Sequence, residues 1–343
     1  MSYLSTQLIR WHKQFGRKDL PWQIDTNPYK VWISEVMLQQ TQVQTVIPYF
    51  LRFIKRYPDI DSLANSNENE VLSYWSGLGY YSRGRNLLKT AKIIQEEFGS
   101  SMPSCSEKLE SFPGIGKSTA GAILSLGFRM KAPILDGNAK RVLVRYFKVE
   151  DPIDLNKTTK QLWNIAEENL PNKECNVYTQ AIMDVGSLIC KRRNPDCIEC
   201  PLKKKCISFN QEIQNLLPNK SPKKEKPIRQ LYWLLLQNKH GEVLLENRNS
   251  KGVWEGLWTF IGFEEPVSRE NFQDRLPKGY ELLEEGLKLR HAFTHYKLDI
   301  DITLIKINKD FQDLDNNKVW FNTEELAGIG LPSPVSKILK TFI

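Results

Sequence analysis

The chain of 343 residues has no apolar run approaching the ~18 residues a membrane-spanning helix needs, and no apolar leader follows Met1. A membrane or exported protein is therefore not expected; a cytosolic one is. Cysteine is scarce and unevenly spread: of six, four fall in one short stretch, which argues against a disulfide framework. Cys105 and Cys175, outside that stretch, read as free thiols. There is no internal repeat and no low-complexity tract. Acidic residues are in deficit, 40 against 48 Lys and Arg, and the net charge of +8 suits a polyanionic partner. The length leaves room for about two domains, each able to bury its own core.

Over residues 4–202 apolar positions recur at spacings of three and four, interrupted by Pro and Gly, which predicts an all-α domain. Helices are expected over 29–44, 70–75, 91–98, 118–126, 138–146 and 178–188. Residues 208–229 alternate Pro218, Pro222 and Pro227 with Lys220, Lys223, Lys224 and Lys226, a composition that keeps a segment extended, so a basic linker is expected. Beyond it, 231–237 and 242–248 are β-prone runs joined through Gly241. The stretch 297–306 alternates, and 333–342 reads as a closing helix. The expected division is 1–207 helical, 208–229 linker and 230–343 a small α+β domain.

Cys190, Cys197, Cys200 and Cys206 form a C-x6-C-x2-C-x5-C run. In a reducing compartment that is a thiolate metal site, and spacing alone admits either zinc or an iron-sulfur cluster. Lys191, Arg192, Arg193, Lys203, Lys204 and Lys205 face only Asp196 and Glu199 in this loop, so a fixed cationic surface is expected, suited to phosphates.

Other segments carry chemistry. FPGIGKSTA (112–120) reads as a helix-hairpin-helix turn, in which Gly114 and Gly116 let backbone approach a phosphate near Lys117 and Ser118; an ordinary helical corner is the plainer reading. Glu35 sits among Trp32, Val36, Met37 and Leu38, where desolvation would raise its pKa and keep it protonated, unless it lies on a polar face. Asp136 can serve as a helix N-cap or can present a carboxylate to a bound strand. GLGYYSRGR (77–85) joins glycines, two tyrosines and two cations, a mixture suited to wedging into stacked bases.

LPWQ (20–23), SEVMLQQTQV (34–43), GLGYYSRGRN (77–86), FPGIGKSTAGAILS (112–125), LDGNAKRVL (135–143) and the four cysteines, in this order, resemble the endonuclease III superfamily of DNA glycosylases and, within it, the MutY family. The resemblance implies a multidomain protein: an all-α helix-hairpin-helix glycosylase domain with an iron-sulfur loop at 190–206, and a small α+β Nudix-like (MutT-like) C-terminal domain. It implies one [4Fe–4S] cluster on the four cysteines. It also implies double-stranded DNA containing A·8-oxoguanine or A·G mismatches as partner, a monomer associated with the nucleoid, and flipping of adenine out of the duplex for hydrolysis. Glu35 would protonate the base and Asp136 would face the oxocarbenium-like sugar. Gln40 and Tyr80 would enter the stack, Gln180 would read the adenine edge, and Asn138 would brace Asp136. Relatives that also cut the strand carry a lysine where this chain has Ser118, so a monofunctional enzyme is expected.

In the C-terminal region the resemblance assigns lesion reading to Phe293, Thr294 and His295. The nearest stretch to a Nudix metal box, 281–286, has Tyr280, Phe272 and Pro266 where Arg, Glu and Gly belong, so a binding module without hydrolase activity is expected. Two rivals remain: a lyase-competent glycosylase for oxidised pyrimidines, and a cluster-bearing DNA-structure sensor without chemistry.

Overall fold

The structure, a computed structural model, describes residues 1–222, 225–248, 252–264, 280–293, 295–307 and 317–342. Its helices, in chain order, are α1 (Tyr3–Phe15), α2 (Pro28–Leu38), α3 (Val43–Arg56), α4 (Ile60–Ala64), α5 (Glu68–Trp75), α6 (Ser82–Phe98), α7 (Ser106–Ser111), α8 (Lys117–Ala122), α9 (Gly137–Phe147), α10 (Asn156–Glu168), α11 (Cys175–Leu188), α12 (Ile207–Asn210) and α13 (Ser333–Phe342). The chain forms two compact units: Met1–Asn65 with Lys89–Lys223, and Ser66–Leu88 with Lys224–Ile343.

The first unit is helical. Leu4 and Leu8 of α1, Val142 and Leu143 of α9, and Ala181, Ile182 and Val185 of α11 form one buried cluster. Each large apolar side chain buried this way contributes about 1.5–3 kcal/mol. The expected helix over 29–44 is two helices. α2 stops at Leu38, Gln40 takes a left-handed backbone at φ 59°, and α3 begins at Val43. The Gln-rich stretch has good helix propensity, which tertiary placement of the chain overrides here. After Ala122 the helix continues as one π turn, Ile123–Gly127.

Residues 208–219 are not the extended linker that the proline and lysine content suggested. Leu217 is 4% exposed within the helical core, and the Ile153 N–H donates to the Asn219 carbonyl at 3.1 Å. A single apolar side chain with a pocket to fill outweighs the local bias.

In the second unit a mixed sheet has the order β3 (Trp258–Thr259), β2, β1, β6, β5, with β4 (Ile261–Phe263) also paired to β1. Its central pair, β1 (Ile228–Asn238) and β6 (Lys297–Ile307), is parallel, with Leu231 opposite Ile300 and Trp233 opposite Ile302. β2 (Val243–Asn247) returns antiparallel to β1 after a turn in which Gly241 has φ 82° and Asn238 Oδ1 accepts from the His240 and Glu242 N–H groups. β5 (Tyr280–Ala292) pairs antiparallel with β6. The 281–286 stretch weighed as a metal box therefore runs along a strand. Phe272 and Pro266 lie outside the described residues.

Candidate active site

A cleft of about 1010 Å³ opens in the first unit, and both Glu35 and Asp136 line it. Glu35 reaches it from α2, a helix started by Asn27, whose Oδ1 accepts the Lys30 N–H at 2.8 Å, with Pro28 in the first turn. Trp32, Ile33, Val36 and Met37 around it are buried. Burial pushes the Glu35 carboxyl up to about 8, and the charge of Asp136 adds to the rise.

Asp136 fills the capping role and also lines the cleft. It caps α9, with Oδ1 accepting from the Ala139 N–H at 2.8 Å and Oδ2 from the Asn138 N–H at 3.2 Å, and it faces the cleft. Burial raises its pKa, opposed by those two N–H donors, by Arg141 and by the Asn138 side chain. Asp136 raises Glu35 electrostatically, while Glu35 is not among the groups that shift Asp136. Asp136 alone of the two has N–H donors and Arg141 that favour its anion, so it is the more readily ionised carboxyl, while Glu35, at about 8, keeps its proton at neutral pH.

Gln40, Ser118, Asn138 and Gln180 line the same cleft. Ser118 Oγ accepts the Leu135 N–H at 3.1 Å, which ties the start of α8 to the residue preceding Asp136. Lys117, one place earlier, is not among the residues lining the cleft. Its ammonium lies 3.2 Å from Glu167 and 4.3 Å from the ring centre of Trp163. Among the described residues that line the cleft there is no lysine. Gly114, exposed at φ 83°, and Gly116, which precedes α8, form the hairpin turn. Tyr80 belongs to the second unit, exposed and left-handed at φ 50°.

Two features of the site rest on long-range bonds that carry no local signal in the sequence. Asp184, with no exposed surface, accepts three N–H bonds from Arg17 at 2.7–2.9 Å, and Gln180 Nε2 donates to its Oδ1 at 2.9 Å. The Gln180 amide is thus fixed with its oxygen free to accept. Arg141 donates to the carbonyls of Cys190 and Gly186 and to Asn138 Oδ1, joining the cysteine loop to the cap of α9.

Cys190, Cys197, Cys200 and Cys206 border one pocket with Val142, Val185 and Leu202. Among the described residues, no group of three or more His, Cys, Asp or Glu side chains stands ready to hold a metal ion. The chemistry of the four sulfurs nevertheless suits a thiophilic group. Burial first, then the neighbouring cysteines, raise Cys197, and burial pushes Cys200 up to about 12. Such thiols become thiolates only against a strongly cationic centre.

In the second unit Phe293 packs within 4.6–5.4 Å, ring centre to ring centre, of His291, Tyr296 and Trp254. His295 is exposed, and Thr294 lies outside the described residues. No helix among the described residues is long and apolar enough to cross a membrane.

Residues 33–168 match the HhH-GPD superfamily of base excision DNA repair proteins, and residues 232–341 match a NUDIX domain. The chain is 44% identical over 337 residues, 97% of this chain and 94% of the relative, to an adenine DNA glycosylase of Buchnera aphidicola subsp. Baizongia pistaciae (strain Bp). It is 39% identical to that of the Schizaphis graminum subspecies (strain Sg), over 99% of both chains. Among solved structures, a thermostable thymine-DNA glycosylase superposes with a TM-score of 0.55 at 26% identity, covering 60% of this chain and 95% of that one. Likeness of this extent, running through the motifs that build the two-carboxyl cleft, makes the chain a member of the adenine DNA glycosylase family.

Proposed function

We propose that the protein removes adenine mispaired with 8-oxoguanine or guanine by hydrolysing its N-glycosidic bond, leaving an abasic site. One observation carries the reading: a protonated acid, Glu35, and a carboxylate, Asp136, share one cleft. At about 1010 Å³ the cleft is as large as small-molecule pockets become, about 300–1,000 Å³. A flipped nucleoside fits with room for its flanking phosphates. Extrusion costs a few kcal/mol, least at a mispair, so the mismatch contributes selectivity.

Glu35 donates its proton to a ring nitrogen of adenine as the bond to C1′ lengthens, so the base departs neutral. Positive charge growing on the sugar faces the Asp136 carboxylate, already oriented by the Ala139 and Asn138 N–H groups. Glu35, now ionised, takes a proton from the water that adds to C1′, which restores the starting state. The Gln180 amide oxygen, held outward by Asp184, is placed to accept from the exocyclic amino group of adenine. Gln40 and Tyr80 supply the wedges, and the hairpin glycines with Lys117 grip a phosphate.

Cys190, Cys197, Cys200 and Cys206 would hold one [4Fe–4S] cluster, which would fix the shape of their loop, and the loop's cationic side chains would grip DNA phosphates. A brown protein with broad visible absorption supports this assignment, whereas a colourless one containing zinc refutes it. The protein acts as a cytosolic monomer on nucleoid DNA. Its C-terminal domain reads the 8-oxoguanine through Phe293, Thr294 and His295.

Lys117, engaged with Glu167 and Trp163, favours a monofunctional enzyme over the lyase reading. The decisive experiment incubates A·8-oxoguanine duplex with parent and Glu35→Gln protein, then heats each in alkali. The parent yields an abasic site that breaks only under alkali, and the variant binds but releases no adenine. Normal turnover by Glu35→Gln, or a borohydride-trapped adduct with the parent, would overturn the proposal.

A further inference from the structure

The 77–81 loop holds an unusual run of backbone. Gly77, Gly79 and Tyr80 all have positive φ, at 95°, 73° and 50°. A bulky non-glycine residue in that region costs about 1–3 kcal/mol and persists only where its surroundings over-determine it. The surroundings here can be named. Trp75 Nε1 and an Arg83 Nη2–H both donate to the Gly79 carbonyl, at 3.2 and 3.1 Å, and the Arg83 N–H donates to the Tyr80 carbonyl at 2.9 Å. The Arg83 guanidinium also lies 5.6 Å from the centre of the Tyr80 ring.

The remaining restraints come from far along the sequence, within the same compact unit. The Tyr81 hydroxyl is buried; it accepts the Gly77 N–H at 3.3 Å and donates to the Leu331 carbonyl at 2.5 Å. One turn into α6, Arg85 donates to the Glu255 carbonyl and pairs with its carboxylate at 3.7 Å. Gly330, beside Leu331, is closely packed: an added Cβ would stand 3.0 Å from Leu257 and 3.2 Å from Leu72. Tyr80 meanwhile stays 48% exposed. One tyrosine of the adjacent pair is sunk as a fastener, and the other is presented outward.

We infer that Tyr81 and Arg85 are positioning residues, through which Leu331 and Glu255 of the C-terminal region hold Tyr80 in the strained backbone that aims it at the base stack. The inference rests on the proposed DNA-repair activity. Under it, the region that senses the partner base also sets the wedge inserted beside that base, so recognition and unstacking are mechanically one event.

The test uses the full-length protein and a duplex with A·8-oxoguanine and 2-aminopurine stacked next to the 8-oxoguanine, whose fluorescence rises on unstacking. Tyr81→Phe, which deletes only the fastening hydroxyl, should reduce that rise and weaken binding about five- to tenfold, as expected for one lost hydrogen bond that holds the bound conformation. In a Tyr80→Ala background the same change should have no further effect on either readout, because the wedge it positions is gone. Arg85→Ala should reproduce this pattern and serves where Tyr81→Phe does not fold. Additive effects of Tyr80→Ala and Tyr81→Phe, or a lowered Tm with parental fluorescence and affinity, would overturn the inference. Adenine release by the parent is scored separately. Its failure removes the proposed activity while the fluorescence cycle still decides the coupling.

Discussion

Asp136 and Glu35 face one cleft, and the charge of the first raises the pKa of the second. The Asp136 charge thereby adds to the burial that keeps the Glu35 carboxyl protonated. In the proposed reaction a neutral Asp136 would leave Glu35 protonated by burial but would face the cationic sugar without charge.

The pH dependence of adenine release should follow. Glu35 must be protonated to donate, so the single-turnover rate should hold up to about pH 8 and then fall about tenfold per pH unit. On the acid side the rate should fall as Asp136 takes a proton, above the usual range for aspartate because burial raises it. A rate still climbing through pH 9 would show that Glu35 is not the proton donor.

The same shift predicts that stability, like the rate, is lost as pH rises. A carboxyl whose folded pKa lies above its unfolded value binds more protons when folded. Stability should therefore be unaffected below about pH 4.5 and decline as pH rises toward about 8. Glu35→Gln removes the ionisation, so at pH 8 the variant should melt higher than the parent, by about 2–4 °C for each kcal/mol regained. At pH 4 the two should melt together. Differential scanning calorimetry at both values checks this, and a variant less stable than the parent at pH 8 would contradict it.

Much of this site is legible in the sequence because its signals are local. Glu35 stands in an apolar helix, Asp136 precedes a helix as a cap must, and Gly114 and Gly116 bracket a turn. The Asp184 network is not legible that way. Gln180 stands one helical turn before it on α11, but Arg17 meets it from 167 residues away with no shared pattern. The compact unit that joins Ser66–Leu88 to the C-terminal residues is equally hidden, since its links are a hydroxyl and a guanidinium finding carbonyl oxygens some 170 to 250 residues away. Periodicity reports which face of an element is buried, not what it is buried against.

In the C-terminal domain Phe293 and His295 should separate on mutation, although they are two residues apart. The Phe293 ring is packed among His291, Tyr296 and Trp254, so Phe293→Ala should lower Tm as well as alter recognition. His295 is exposed, so His295→Ala should keep the parental Tm and lower the preference for A·8-oxoguanine over A·G about tenfold, the size of one lost hydrogen bond. Equal loss on both duplexes would mean that His295 does not read the lesion.

The crossing of α9 and α11 should prove as unforgiving as the carboxyls themselves. A Cβ added at Gly186 would stand 2.6 Å from Asn138 Cβ and 2.9 Å from its backbone carbon and oxygen, none of which is the yielding end of a long side chain. Gly186→Ala must therefore push α9 away at its first turn, where Asp136 is held by the Asn138 and Ala139 N–H groups. Overpacking of this kind costs about 1–3 kcal/mol. The variant should fold with a lower Tm and release adenine more slowly even where it is fully folded, because the displaced turn carries the carboxylate away from the sugar. Its duplex affinity should change less than its rate, since Gln40 and the hairpin glycines sit on other elements. Single-turnover kinetics and equilibrium binding at a temperature well below the variant's Tm separate the two, and a parental rate there would mean that α9 absorbs the methyl without moving Asp136.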